Sequence, residues 1–199
     1  MKFIIGIDEA GRGPLAGPVS VGCFGAEQKM ESWLLKNIFE NKLRDSKKLS
    51  PKKREEIYEK FLLLKKERKI FFEVSHISNK IIDKKGISEA VRMGIKKSIS
   101  EQKCLEVRLD GLLKAPEEFK NQKTIIKGDE KDVFIACASI VAKVCRDRLV
   151  CKLARKYPDY CFEIHKGYGT LLHRTLIKKY GLCAFHRKTF CKNLTVFQK

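Results

Sequence analysis

The stretch Ile4 to Pro18, IIGIDEAGRGPLAGP, limits what the chain can fold into more than any other. Ile4, Ile5 and Ile7 form a short β-branched run of the kind that fills a buried strand. The run leads directly to two adjacent carboxylates, Asp8 and Glu9, and then to a glycine-rich turn with Gly11, Arg12, Gly13 and Pro14. Neighbouring side chains on a strand point to opposite faces. Asp8 and Glu9 are therefore expected to share a site only where the strand ends, twists or bulges. An acidic pair at the end of a buried strand is costly unless positive charge sits on it, and a hard divalent cation is the simplest source. Nearby glycines let backbone come close to a ligand. The bland alternative is a surface turn with two solvated acids. A dinucleotide fingerprint does not fit, because Gly17 follows one residue too late and Pro14 interrupts the loop.

At 199 residues the chain has room for one sizeable core and at most a small appended subdomain. Lys and Arg number 43 against 24 Asp and Glu, a formal net charge of +19. Such an excess favours a polyanionic partner, most simply nucleic acid. No membrane partner is expected, since there is no apolar run of spanning length, no separate basic amphipathic anchor and no lipidation motif. No signal peptide precedes the first strand, and the eight cysteines form no C-x-x-C. A cytoplasmic protein with reduced thiols is the expectation, its cysteines serving as small hydrophobes.

Val19 to Phe24 reads as a second strand and Glu31 to Glu40 as a weakly periodic helix. Asp45 to Leu49, DSKKL, is a polar loop. Ser50 as N-cap and Pro51 at the first position then open a helix to about Arg68. A third strand is expected over Ile70 to Val74, then one helix from Ser78 or Asn79 to about Ser100. Glu106 to Asp110 is a fourth strand ending on a carboxylate, and Thr124 to Ile126 a short fifth. Lys127, Gly128 and Asp129 leave it, and a long helix starts near Asp132 and is stopped by Tyr157-Pro158. His165 to Thr170, HKGYGT, is a loop whose Thr170 caps a last helix ending before Gly181. This order predicts an α/β fold, a mixed sheet with helices on both faces.

Three strand ends carry acids: Asp8 with Glu9, Asp110, and Asp129. Sites gather at the carboxyl ends of strands in such sheets. If strands one, four and five are neighbours, the four acids converge. Two divalent ions roughly 3.5–4 Å apart would neutralise them and activate a water against a phosphodiester. Singly, Asp110-Gly111 also reads as an ordinary turn and Asp129 as a helix-start acid.

The segments IDEAGRGPLAGPV, DSKKLS, LDG, KGD, ASIVAKVCRD and HKGYGT resemble, in that order and over nearly the whole chain, the bacterial ribonuclease HII family. The resemblance implies an RNase H-like mixed five-stranded sheet flanked by helices with a helical C-terminal extension. Residues 1–156 would form the catalytic domain, and 157–199 a substrate-binding extension packed on it. It further implies an endoribonuclease with a metal cluster of Asp8, Glu9, Asp110 and Asp129 holding Mg²⁺ or Mn²⁺. The substrates implied are RNA–DNA hybrids and duplex DNA with embedded ribonucleotides. Gly11, Arg12 and Gly13 would contact the ribonucleotide, and Tyr168 would stack on the sugar of the following deoxynucleotide. A backbone loop suits this task because the 2′-OH both donates and accepts. Lys47, Lys48, Lys143, Arg146 and Lys166 are phosphate-contact candidates, although Lys143 and Arg146 also read as a solvated helix face. Arg12 and the early first strand point away from the sibling ribonuclease HIII, which usually carries GKG. A non-catalytic basic nucleic-acid-binding protein is the rival from another class. Gly86 stands where the family often has Asn, which puts local helix stability in question. The protein is expected to be a monomer. Val196-Phe197 is too short a hint to support a replication-clamp partner.

Overall fold

Strands β1 (Phe3–Ala10), β2 (Val19–Glu27), β3 (Ile70–Ile77), β4 (Glu106–Asp110) and β5 (Gln122–Ile125) form one sheet in the order β3-β2-β1-β4-β5. β2 pairs antiparallel with β1 and β3, whereas β1, β4 and β5 run parallel. The mixed five-stranded sheet is the one expected, and strands one, four and five are neighbours. The computed structural model describes residues 2–43, 46–99 and 106–194, and for Lys47 the backbone only. Asp45, Ser100, Cys104 and Val196-Phe197 thus lie outside the described residues.

The helices are α1 (Met30–Asn37), α2 (Pro51–Lys66), α3 (Asn79–Lys85), α4 (Ile87–Ile99), α5 (Val133–Ala154), α6 (Phe162–His165) and α7 (Leu171–Tyr180). The alternation of β1 divides the core. Ile4 packs with Phe24, Phe61 and Phe134 on the side of α1, α2 and α5, and Ile5 and Ile7 pack with Val21 and Ile95 on the side of α3 and α4. Gly6 lets α5 press onto β1, since a Cβ there would stand 2.1 Å from the Phe134 carbonyl carbon. Asp132 caps α5, its Oδ1 accepting from the N–H groups of Phe134 and Ile135 at 3.0 and 3.1 Å. The chain beyond Tyr157 closes a third apolar cluster, in which Tyr160, Phe162 and Phe185 meet Ala16, Val150 and Ala154.

Three expectations are revised. β1 runs on through Asp8 and Glu9 to Ala10, because its ladder with β2 continues to Ala10 opposite Ser20. β3 extends to Ile77, its polar Ser75 and His76 still paired with β2. The single helix expected after Ser78 is two, broken at Gly86 with φ 81° and ψ 161°. Only glycine holds that conformation without strain, so Gly86 ends α3 and redirects the chain into α4. Among the described residues the cysteines form no disulfide, and no helix is long and apolar enough to cross a membrane.

Candidate active site

β1 is paired with β2 to its last residue but with β4 only as far as Ile7 opposite Leu109. The carboxyl end of β4 is thereby left unpaired on its β1 side, and two faces of one strand can serve one site without a bulge. Asp8 turns to the α5 face, where it is buried and takes a hydrogen bond from Ser139. Glu9 turns to the α4 face and lines a cavity of about 590 Å³ with Arg12, Ser88, Arg92, Asp110 and Lys114. Asp110 is near enough to raise the pKa of both. Asp129 is buried in the 3₁₀ turn Gly128–Glu130. That turn is pinned to the cluster because Gly128 N–H donates to Asp110 Oδ1 at 2.7 Å.

Burial, with the charges of Glu9 and Asp110 added, holds the Asp8 carboxyl well above the usual range. Burial raises Glu9 as well, against the pull of Arg12. Glu9 Oε1 accepts from Arg12 Nη1 at 3.3 Å, while Glu9 Oε2 is buried with no hydrogen-bond partner. An orphaned buried carboxylate oxygen among acids of raised pKa is a donor set that a hard divalent cation fits. Among the described residues no three His, Cys, Asp or Glu side chains are drawn up to one coordination point. Asp8, Glu9 and Asp110 each direct an oxygen to a local donor instead: Glu9 N–H, Arg12 and Gly128 N–H.

The glycine loop and the tyrosine loop form one piece. Leu15 N–H and Ala16 N–H donate to Gly167 O at 2.8 and 3.3 Å. Arg146, 0% exposed, donates from Nε to Pro18 O at 3.0 Å and from Nη2 to Lys166 O at 3.1 Å. The Tyr168 ring is half-buried, with Lys143 Nζ at 5.4 Å and the Arg146 guanidinium at 5.6 Å from its centroid. The structure thus sets Arg146 beneath the loops, on backbone carbonyls, rather than on a solvated helix face. Lys143 is tied to Asp147 at 3.0 Å. Lys48 is exposed and paired with Glu130, next to Asp129. Lys166 Nζ donates to Glu163 O, and the Lys47 side chain lies outside the described residues. A second cavity of about 600 Å³, lined in part by Arg54, Asp147, Arg148, Arg155 and Lys166, includes none of the four acids. The first is lined by Glu9 and Asp110.

The family model for ribonuclease HII matches residues 5–193. The chain belongs to the ribonuclease HII family. The ribonuclease HII of Caldicellulosiruptor bescii is 46% identical over 195 residues, 97% of this chain and 88% of that relative. The ribonuclease HII of Clostridioides difficile is 43% identical over 198 residues, 96% of this chain and 71% of the relative. Among solved structures, the ribonuclease H2 from Pyrococcus horikoshii OT3 superposes with a TM-score of 0.73 at 25% identity, covering 96% of both chains. A Bst ribonuclease HIII in complex with Mn²⁺ has a TM-score of 0.67 at 15% identity over 95% of this chain and 64% of its own, a likeness of fold alone. Family membership makes the chain a ribonuclease H-type hydrolase and removes the non-catalytic rival.

Four further residues, Ser139, Arg187, His173 and His186, hold the acids or the two loops without a motif in the sequence that marks them. Ser139 Oγ links Asp8 to Ser46 Oγ at 2.8 Å. A lone hydroxyl on an otherwise apolar helix face was the available signal, since buried polar groups need partners. Arg187 is buried in a basic tail that reads as bulk charge, and nothing in the sequence separates it from its neighbours.

The two loop glycines are not alike. At Gly11, φ is +91° and a Cβ would stand 1.9 Å from Arg146 Nε; at Gly13 it would meet nothing within 4 Å. In the protein itself, therefore, only Gly11 resists a side chain. Gly11→Ala should destabilise the fold by about 1–3 kcal/mol through overpacking, while Gly13→Ala should leave the melting temperature unchanged. Any loss of activity in the Gly13 variant then reports substrate contact, which thermal melts alongside cleavage rates will separate.

Three histidines stack behind the tyrosine loop. His173 Nδ1–H donates to Tyr168 O at 2.9 Å, and His186 Nδ1 accepts from Cys183 N–H at 3.0 Å. His186 Nε2–H then donates to His173 Nε2 at 3.0 Å, both rings neutral. Burial pushes His173 and His186 down from 6.5 to about 4. The unfolded chain therefore takes up protons that the native state refuses, and their stabilising effect, full above pH 6.5, is lost progressively towards pH 4. The urea midpoint should fall steeply across this window, and His173→Gln should flatten the fall. An equal slope in both proteins would contradict the assignment.

Proposed function

We propose that this chain is an endoribonuclease that hydrolyses the RNA strand of RNA–DNA hybrids and cuts on the 5′ side of single ribonucleotides in duplex DNA, leaving 3′-OH and 5′-phosphate ends. The observation that carries this reading is the meeting of Asp8, Glu9 and Asp110 beside the fused loops that carry Gly11–Gly13 and Tyr168. Mg²⁺ or Mn²⁺ held by Asp8, Glu9, Asp110 and Asp129 would supply a water nucleophile active at neutral pH and charge for the leaving oxygen. Ser139 and Ser46 fix the Asp8 side of the cluster. Gly128 N–H fixes Asp110, which leaves its second oxygen for a ligand. The backbone of Gly11–Gly13 offers donors and acceptors to a 2′-OH. Tyr168 packs against the next sugar, and Lys143 beside its ring and Lys48 beside Asp129 offer charge to phosphates.

The test compares a uniform RNA–DNA hybrid with all-DNA duplex, with and without Mg²⁺. Cleavage of the hybrid alone, and only with metal, is the expected result. Binding of the hybrid without product under any metal would overturn the reading.

A further inference from the structure

Two consecutive residues of the C-terminal segment reach both reading loops. Arg187, 0% exposed, donates from Nη2 to Gly11 O at 2.6 Å, from Nη1 to Arg12 O at 2.9 Å and from Nε to Gly17 O at 2.9 Å. Its planar fork thus spans the glycine loop and spends all three nitrogens on carbonyls. His186, beside it, reaches the other loop through His173, whose Nδ1–H holds Tyr168 O. The backbone follows the same path: Arg187 N–H donates to Leu15 O at 2.8 Å, and Ala16 bridges His186. From outside, Asn79 Nδ2 clasps the segment, donating to Ala184 O at 3.0 Å and His186 O at 2.8 Å.

A guanidinium without a carboxylate partner is expensive to bury. Arg187 is moreover near enough to Arg146 for like-charge repulsion, which adds to burial in lowering its pKa to about 9. A fold that needed only to close its core could use an apolar side chain here. Three carbonyls of one loop, held by one rigid fork, are a geometric specification that lysine or an aliphatic residue does not reproduce.

We propose that His186 and Arg187 are positioning residues that set the spacing between the Gly11–Gly13 loop and Tyr168, and through it the enzyme's selectivity for a single ribonucleotide over continuous RNA. The inference rests on the reading that these loops sense ribose and the following deoxyribose. A junction substrate requires both loops in register at once. A continuous hybrid presents a 2′-OH at every step and tolerates a displaced tyrosine.

Wild type and Arg187→Lys are assayed for kcat/KM on a duplex with one ribonucleotide and on a uniform hybrid, below the melting temperature of each. Lysine keeps the charge and loses the fork. The expected result is a fall of about 10²-fold on the single ribonucleotide, the size of a misplacement near one ångström, with a fall at least tenfold smaller on the hybrid. The Mg²⁺ concentration for half-maximal rate should not move. Asn79→Ala, which loosens the segment from its exposed side, should shift the ratio in the same direction even if Arg187→Lys fails to fold. Equal losses on both substrates in the folded variants would overturn the proposal while leaving the loops' reading intact. Failure of the wild type to cut the single-ribonucleotide duplex would instead overturn the reading beneath it.

Discussion

Asp110→Asn should lower cleavage by about three orders of magnitude and leave hybrid binding nearly intact. The asparagine keeps an oxygen for Gly128 N–H, so the turn that carries Asp129 stays in place. What is withdrawn is one negative charge from a set that fits divalent cations, which costs several kcal/mol of transition-state stabilisation. At about 1.4 kcal/mol per factor of ten, that is roughly a thousandfold. Asp110 also raises Asp8 and Glu9 by repulsion. Its neutralisation should leave the melting temperature in metal-free buffer unchanged or higher, which separates lost chemistry from lost folding. Cleavage rates, gel shifts and melts on one preparation check all three. Near wild-type turnover would sink the metal assignment.

Tyr168→Ala, expected to give the second large effect, should remove most activity on a single embedded ribonucleotide and less on a continuous hybrid. The loop does not need the ring for its own shape. Tyr168 N–H donates to His165 O at 2.9 Å, and Tyr168 O accepts from Thr170 N–H at 2.8 Å and from His173 Nδ1 at 2.9 Å. All three bonds survive truncation. The ring, flanked by Lys143 and Arg146, is left as a stacking surface, worth about 1–3 kcal/mol. The loss on the junction substrate should be about 5- to 150-fold, restored by Tyr168→Phe and not by more Mg²⁺. Equal losses on both substrates would reduce Tyr168 to a loop anchor.

The acids were legible because Asp8, Glu9 and Asp110 close the ends of β1 and β4 and Asp129 follows β5 by four residues, and strand order then decided whether they could meet. The β-branched run before Asp8 marked the strand but not its end, which depends on the β2 ladder running on to Ala10 opposite Ser20. How Asp8 and Glu9 reach one site was not legible. It depends on β4 leaving β1 after Leu109, a matter of register between strands a hundred residues apart. Nor could the sequence tell the glycines apart. Gly11 is held by the side chain of Arg146 at its back, whereas Gly13 faces open space. Arg146, from its helix alone, suits a phosphate contact or a solvated face, yet it is buried. The carbonyls that bury it come from Ala16, Pro18 and Lys166, and no local pattern announces such a convergence. Caps were different: Ser50, Ser78 and Thr170 each accept from the N–H three residues on, as their positions required.

The central claim is tested most directly by mapping the ends produced from duplex DNA that carries one ribonucleotide. With Mg²⁺, one nick is expected on the 5′ side of that ribonucleotide, with a 3′-OH upstream and a 5′-phosphate on the ribonucleotide itself. No cut should occur when the ribonucleotide is replaced by its deoxy counterpart. A nick on the 3′ side, a cyclic phosphate end, or equal cutting of the all-DNA duplex would contradict it.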